Sequence, residues 1–574
     1  MNTHTTTSTD IFSELSLVLD NTTDPFPIVF LPEEKDEKFG ILTIKTIKID
    51  NKQPLYMLFT IDRTESMNEC TSTFGLSKLQ QVKLTFINIL KYLSNMEKEI
   101  IIQVNCFDTE VCTVIETTTI SKCNISTIIC IIESISTRGC TNLEIALVEA
   151  NKTLSQVARE NPSYLVNHIF MTDGDPNQGI SCPRELAKLV NTEFPNIFIG
   201  FGIHHNAVIL QALSACKNAE YQFIDNSKNT SIVYAETIYQ LLFPAIKNLK
   251  IVIKNGKIYN WRTNDWEDHL LIPTVISEKE IIVHVVGSRE MEVELYDEYT
   301  LLDTTTVLPE LLDISTGIYE TTDLTRYMYR QVVQDLLFRA KQLNQQRFES
   351  KTVIDKVFPN QNESFDNVKS QIRNVFRTMH KYMRETDLLN DEFMILLCDD
   401  LNVIYKTLGK YEGIAYSSSR HTSQGSQRSY SANIDESNDY SANNNKRQYA
   451  ESNDYSANNN KRQYADTYCS PPKLVRASNK VNDYHNIVND KANMLSFYEG
   501  FYTKLSSLPE SNLTQDDNDV AICSELEKEC FDEWEQSEEE DNINNYRSRT
   551  YRNTTFDTSK LLEMVTNITK YNKI

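Results

Sequence analysis

The hydrophobic pattern divides the chain into regions of different period. Residues 54–246 alternate short, wholly apolar runs, such as LYMLFTI and LVNHIFMT, with longer segments of helical periodicity. Apolar strands that alternate with helices are typical of a parallel sheet covered by helices on both faces. The pattern therefore predicts an α/β domain with a doubly wound, mostly parallel sheet.

Alternation with a period of two dominates on either side of this domain. The segment FGILTIKTIKI within 37–53 predicts one strand, and the alternating segments of 247–310 predict an antiparallel β-domain. An Asn-Gly dipeptide at 255–256 separates two alternating arms, which predicts a hairpin turn. Because the two regions flank the α/β domain, we expect them to share one sheet, with the α/β domain inserted between its parts.

The remaining regions differ in composition. Residues 320–410 have helical periodicity and predict three helices. Residues 411–480 are rich in Ser and Asn, contain ESNDYSANNNKRQYA twice in succession and predict disorder, because so polar a segment cannot form a core. We expect a flexible leader at 1–36, which is Thr-rich and acidic, and an acidic, weakly helical tail at 481–574.

Net charge narrows the range of partners. The formal charge is −23 and the isoelectric point is about 4.9, which argues against nucleic acid or an anionic membrane, because phosphate would be repelled. The sequence shows no signal-peptide pattern and no apolar stretch of about 18 residues. We therefore expect an intracellular chain, in the cytoplasm or in a virion or other particle. The twelve cysteines are dispersed without Cys-x-x-Cys, which favours reduced thiols over zinc modules.

Oxygen-bearing side chains follow the predicted strands. Asp62, Thr64 and Ser66 come directly after the first buried strand of the α/β domain, Thr141 lies in RGCTN and Asp173 lies in MTDGD. Alone, each group is more typical of a helix cap or a turn than of a metal site. Because loops at the carboxyl ends of parallel strands converge, all three in this order favour a metal site. Two carboxylates and three hydroxyls suit Mg²⁺, Mn²⁺ or Ca²⁺ rather than Zn²⁺ or Cu²⁺.

These three groups resemble the metal-ion-dependent adhesion site of the von Willebrand factor type A domain. The family's Asp-x-Ser-x-Ser element is matched by DRTES from Asp62 to Ser66, its Thr element by Thr141, and its Thr-Asp-Gly turn by Asp173. The resemblance covers about residues 54–245. It implies the type A fold and one bound ion, Mg²⁺ or else Mn²⁺ or Ca²⁺.

The resemblance also implies a role for each residue. Thr64 and Ser66 would be hydroxyl ligands, and Thr141 a ligand that engages when a partner binds. Asp62 and Asp173 would mostly orient metal-bound waters. The remaining coordination position would take an Asp or Glu of a partner protein.

The sequence departs from the family pattern at the first element. Thr64 replaces the usual Ser, which keeps the hydroxyl and adds a methyl group. Glu65 replaces a small residue and, with Asp175, is expected at a partner-binding rim. We expect these changes to weaken ligand entry modestly and to leave metal binding intact.

The predicted function is a non-enzymatic, metal-dependent protein-protein interaction. The sequence contains no Gly-x-Ser-x-Gly motif, no Walker-type phosphate loop and no other pattern of nucleophile and base. Two alternatives remain open, a scaffold in a ubiquitin-ligase-like assembly and a structural particle protein whose metal site is vestigial. A metal-binding assay would separate the structural particle protein from the metal-dependent interaction module.

Overall fold

A computed structural model describes most of the first 428 residues. The described ranges are 11–21, 37–49, 51–70, 76–202, 205–224, 230–297, 299–309, 312–313, 318–319, 322–349 and 364–428. The tandem repeat and the tail at 481–574 lie outside the described residues.

The described residues form two large sheets, one short hairpin and several helices. The strands are β1 (Phe12–Leu19), β2 (Lys38–Thr46), β3 (Leu55–Asp62), β4 (Ile100–Phe107), β5 (Val111–Thr119), β6 (Leu165–Thr172), β7 (Asn196–Phe201), β8 (Ala219–Ile224), β9 (Pro244–Asn260), β10 (Asp265–Glu267), β11 (His269–Ile276), β12 (Glu280–Asp297), β13 (Thr300–Thr306), β14 (Leu312–Asp313) and β15 (Ile318–Tyr319). The helices are α1 (Lys78–Leu93), α2 (Ile125–Ser134), α3 (Leu143–Glu160), α4 (Pro183–Ala187), α5 (Ala207–Ser214), α6 (Thr230–Leu242), α7 (Thr325–Glu349), α8 (Phe365–Glu385), α9 (Glu392–Thr407) and α10 (Gly413–Gly425).

The first sheet is doubly wound. Its strand order is β5-β4-β3-β6-β7-β8, and every neighbouring pair is parallel except β4 with β5. Helices α1, α2 and α6 contribute to the core on one face, and α3, α4 and α5 to the core on the other. The predicted fold class is confirmed, and β3, which ends at Asp62, lies in the middle of the sheet.

The apolar run of β3 explains its central position. Met57 and Phe59 join the core formed with α1 and α6, whereas Tyr56 and Leu58 join the core formed with α3. All four side chains are fully buried. A strand with apolar side chains on both faces is stable only where helices cover the sheet on both sides.

The second sheet is antiparallel and is built from segments on both sides of the α/β domain. Strand β2 pairs with β12, with Lys45 opposite Glu280 and Lys38 opposite Gly287. The path continues from β12 to β9 and β10, while β11 pairs with β9 and β13 with β12. The chain therefore enters this sheet before the α/β domain and returns to it afterwards.

The prediction of a flexible leader over 1–36 is wrong for β1. Residues 12–19 form a strand that pairs antiparallel with β2, with Leu17 opposite Leu42. Leu17 and Leu19 are buried in the core of the second sheet. The alternate leucines of this segment form an apolar face that becomes part of the core of the second sheet.

The predicted hairpin at Asn255-Gly256 is also wrong. Strand β9 continues through both residues, and Asn255 has a φ of 58°. Strand β12 is likewise continuous from Glu280 to Asp297, with a register shift after Gly287. A Cβ atom on Gly287 would lie 2.8 Å from the Gly256 Cα. The dipeptide therefore supplies the left-handed residue of an irregularity in the ladder, not a turn.

The helical segment matches its prediction and extends beyond it. Helices α7, α8 and α9 are the three predicted over 320–410. The prediction of disorder from residue 411 is wrong for α10, whose GIAYSSSRHTSQG sequence packs against α7, α9 and β8. Small side chains allow this close approach, since a Cβ atom on Gly425 would lie 2.1 Å from Trp261 Cδ2. Among the helices described, none is long and apolar enough to cross a membrane.

Candidate metal centre

Three loops meet at the carboxyl edge of the first sheet. The first follows β3 and continues as a 3₁₀ turn over Glu65–Asn68. The second precedes α3, and the third follows β6. Backbone hydrogen bonds join the first two loops, because Arg138 N donates to Arg63 O at 2.8 Å. Asn177 N of the third loop donates to Thr141 O at 3.0 Å, which joins the third loop to the second.

The predicted site residues of these loops lie together. Ser66 Oγ lies 3.1 Å from Thr64 Oγ1 and donates to Asp173 Oδ1 at 2.8 Å. A Cβ atom on Gly174 would lie 3.1 Å from Thr141 Oγ1 and 3.5 Å from Ser66 Oγ. Both of these hydroxyls therefore face the α-carbon of Gly174. Oxygens from all three loops form one cluster, which we call the metal centre.

Asp62 is buried below the metal centre and holds the backbone of the first loop. It is the last residue of β3 and is fully buried. Its Oδ1 accepts from Thr64 N at 2.8 Å, and its Oδ2 accepts from Thr172 Oγ1 at 2.6 Å. Burial, and secondly the neighbouring Asp173, raise the pKa of Asp62 to about 6. Two carboxylates held close together in a buried site favour a bound cation.

A lysine that the sequence analysis missed also belongs to this site. Lys78 Nζ donates to Asp173 Oδ2 at 2.6 Å and to Glu69 Oε2 at 2.6 Å. Burial alone would lower the pKa of Lys78, but the pairs with Asp173 and Glu69 raise it above its usual value. The lysine is therefore a permanent positive charge beside Asp173. No sequence motif marks this lysine, because it begins α1 and lies outside the loops that follow the strands.

An ion-pair cluster braces the first two loops. Arg63 Nε and Arg138 Nε both donate to Asp108 Oδ2, at 2.7 Å and 2.8 Å. Burial opposes ionisation of Asp108, but the hydrogen bonds from Arg138, Glu110 N and Arg63 lower its pKa overall. Asp108 directly follows β4, so a search for oxygen-bearing side chains at strand ends (the strand-end rule), which selected Asp62, could also have found it. Its contacts indicate a structural role in holding the loops.

The predicted rim residues flank the opening of the metal centre. Glu65 and Asp175 are exposed, as is Ser66, whereas Thr141 and Asp173 are buried behind them. Asp175 Oδ1 accepts a hydrogen bond from the side chain of Asn206, the N-cap of α5. The opening is therefore lined by carboxylates.

The donor set fits a small divalent cation. In octahedral coordination with Mg²⁺–oxygen distances of about 2.0–2.1 Å, neighbouring ligand oxygens lie roughly 2.9 Å apart. The Thr64–Ser66 and Ser66–Asp173 oxygen distances of 3.1 Å and 2.8 Å are close to this spacing. Within the described ranges, no group of three or more His, Cys, Asp and Glu side chains is arranged to hold a metal. A cation here would therefore depend on hydroxyl oxygens.

Comparison with known proteins finds likeness at the level of structure. No protein-family model and no curated protein sequence matches the chain. The structure is similar to a von Willebrand factor type A protein from Catenulispora acidiphila, with 12% identity, a TM-score of 0.45 and coverage of 69% of this chain and 91% of that one. It is also similar to the ArnB paralog VWA2 from Sulfolobus acidocaldarius, with 12% identity, a TM-score of 0.40 and coverage of 72% and 98%.

A third similar structure is described with a metal. Proximal thread matrix protein 1 from the mussel byssus, with a zinc-occupied adhesion-site motif, matches at 18% identity and a TM-score of 0.27, covering 35% of this chain and 49% of that one. These likenesses concern the fold alone.

Proposed function

We propose that the metal centre binds one divalent cation, preferably Mg²⁺, and through it an Asp or Glu side chain of a partner protein. The observation that carries this proposal is the cluster of closely spaced oxygens from Thr64, Ser66 and Asp173. When bound, the cation would supply a positive charge with a coordination position open to an external carboxylate.

The chain's own residues divide the work of holding the ion. Ser66 and Thr64 offer hydroxyl oxygens, with Thr141 close by. Asp173 accepts from Ser66 and supplies negative charge. Asp62 fixes the first loop through Thr64 N, so its removal would displace the hydroxyls even without direct contact with the ion. Hard oxygen donors would also accept Mn²⁺ or Ca²⁺.

The charges at the opening support a metal-dependent interaction. Glu65 and Asp175 are exposed beside Ser66 and would repel an acidic partner. A bound divalent cation would offset this negative charge and offer a coordination position to the acidic side chain. Binding of an acidic side chain should therefore require the metal.

The geometry favours binding over catalysis. A general base must lie within hydrogen-bond reach of the proton that it takes from substrate, and the side chains of Asp62 and Asp173 are both buried. Both oxygens of Asp62 accept from Thr64 N and Thr172, and both oxygens of Asp173 accept from Ser66 and Lys78. We propose accordingly that the centre is non-enzymatic.

One observation favours a second candidate, a scaffold in which the metal site is vestigial. Lys78 already neutralises part of the charge of Asp173, so the loops have an internal cation. In that case the fold would be equally stable without metal, and the chain would assemble through other surfaces.

Thermal unfolding of the full chain distinguishes the two candidates. The protein, stripped with a chelator, should melt at a higher temperature when Mg²⁺ or Mn²⁺ is added, because a ligand that binds only the folded state stabilises it by about 2.7 kcal/mol at 100 times its Kd. Ser66→Ala should abolish the shift. Ser134→Ala removes a hydroxyl from an exposed residue of α2 away from the centre and should retain it.

The partner is tested by affinity capture from the host cell with Mg²⁺ and with a chelator. Proteins retained by the wild type with Mg²⁺, and lost both on chelation and with Ser66→Ala, would support the proposal. Equal thermal shifts in wild type and Ser66→Ala, or capture of the same proteins with Mg²⁺ and with the chelator, would refute the proposal.

A further inference from the structure

Lys78 is built into the metal centre rather than lying near it by chance. As the first residue of α1, it follows the N-cap Ser77, whose capping box with Gln80 fixes the start of the helix. Its backbone N donates to Glu69 O at 3.1 Å. Its side chain is almost completely buried, although lysine is rarely buried unless it is paired.

A glycine makes room for the lysine side chain. Gly202 follows β7 and has a φ of 74°. A Cβ atom there would lie 3.3 Å from Lys78 Cε and 3.9 Å from Lys78 Nζ. Gly202 therefore lies close beside the end of the lysine without a side chain of its own, and the ammonium lies between Asp173 and Glu69.

Asp173 is shared between the lysine and the hydroxyl cluster. Its Oδ2 accepts from Lys78 Nζ, and its Oδ1 accepts from Ser66 Oγ. A cation bound by the hydroxyls would therefore lie on the other side of the same carboxylate from a fixed ammonium. The two positive charges would repel each other within a largely buried site, where screening is weak.

We propose that Lys78 is an internal counter-cation that lowers the affinity of the metal centre for its divalent cation. This inference rests on the proposed function. The charges of Asp62, Asp173, Glu69 and Lys78 sum to −2, so a bound divalent cation brings the centre to zero, whereas the total without the lysine would stay at −1. A neutral loaded centre would not repel an additional carboxylate, which a partner would supply.

The test compares Mg²⁺ affinities of full-length variants by titration calorimetry. Lys78→Met removes the charge and keeps an unbranched side chain. It should bind Mg²⁺ at least about tenfold more tightly, since repulsion between a single and a double charge across one carboxylate is of roughly that size even with water-like screening. Lys152→Met removes a lysine from an exposed pair with Glu149 and should bind like the wild type.

Each outcome has a defined meaning. Equal or weaker binding by Lys78→Met than by wild type would overturn the inference while the proposed function stands. Binding by Lys78→Met alone would support the inference and remove the proposed metal role from the native chain. Binding by neither would overturn both.

A second variant covers the case in which Lys78→Met does not fold. Glu69 is more than half exposed, so Glu69→Gln should fold normally. It leaves the charge of Lys78 balanced by Asp173 alone and should weaken Mg²⁺ binding several-fold. Unchanged affinity in Glu69→Gln would contradict the inference independently.

Discussion

The stability of this protein should fall as the pH drops from 7.5 to 5, in part because of one buried histidine. His284 on β12 is almost fully buried, and its ring packs against Phe39 of β2 and Tyr327 of α7. Its Nδ1 lies 2.7 Å from Gln331 Oε1. Burial, and secondly the charge of Arg330, lower the pKa of His284 to about 3.

The size of the effect follows from proton linkage. In the unfolded chain the histidine has a pKa of about 6.5, so below this pH the unfolded state binds a proton that the folded state does not bind. The neutral ring therefore contributes stability that is fully present above pH 6.5 and is lost as the pH falls towards 3. Because pH 5 lies about 1.5 units below the pKa of the unfolded state, the free energy of unfolding is lower there by about 2 kcal/mol.

Urea unfolding at pH 7.5 and pH 5.0 measures this loss. His284→Gln keeps an amide that can bond to Gln331 but does not titrate. Its free energy of unfolding should fall by about 2 kcal/mol less between the two pH values than that of the wild type. His269→Gln, at an exposed position on β11, should behave like the wild type. An equal pH dependence in His284→Gln and wild type would refute the reasoning.

Two further predictions concern how the parts are joined. A chain that starts at Pro54 lacks β1 and β2, so it should expose the edge of β12 and aggregate. Restoring residues 11–53 should give a monomer in size-exclusion chromatography. Equal solubility of the two chains would contradict the shared sheet. Gly425→Ala should destabilise the protein by about 1–3 kcal/mol in urea unfolding, because the added methyl overlaps Trp261. Helix propensity alone would stabilise the same variant, so a gain in stability would show that α10 does not pack there.

The features that could be predicted from sequence depend on local periodicity. The apolar strands and the helices between them fix an α/β domain, because side chains of a covered strand must be apolar on both faces. The strand-end rule also selected Asp62, Ser66 and Asp173 for one site, since parallel strands place their carboxyl ends at one edge. The structure places the side chains of these three within one chain of oxygen contacts.

The features that needed the tertiary structure depend on contacts between distant segments. The alternation of β1 is short, and its leucines become a core only when β2 lies beside them. Asn255-Gly256 has the composition of a turn, yet its strand continues because β12 pairs with it on both sides of the irregularity.

Contacts between distant segments also explain α10 and Lys78. The small, polar residues of α10 have the composition of a linker. In the structure they form a helix, because small side chains can pack closely against Trp261 and α7. Lys78 joins the metal centre because the start of α1 is folded against Asp173, 95 residues further along the chain. The sequence determines which helices and strands form and at which edge of the sheet the strand ends converge. Only the tertiary structure decides that the Lys78 ammonium lies beside the Asp173 carboxylate. Such a contact depends on packing at the ångström scale, which no local sequence pattern encodes.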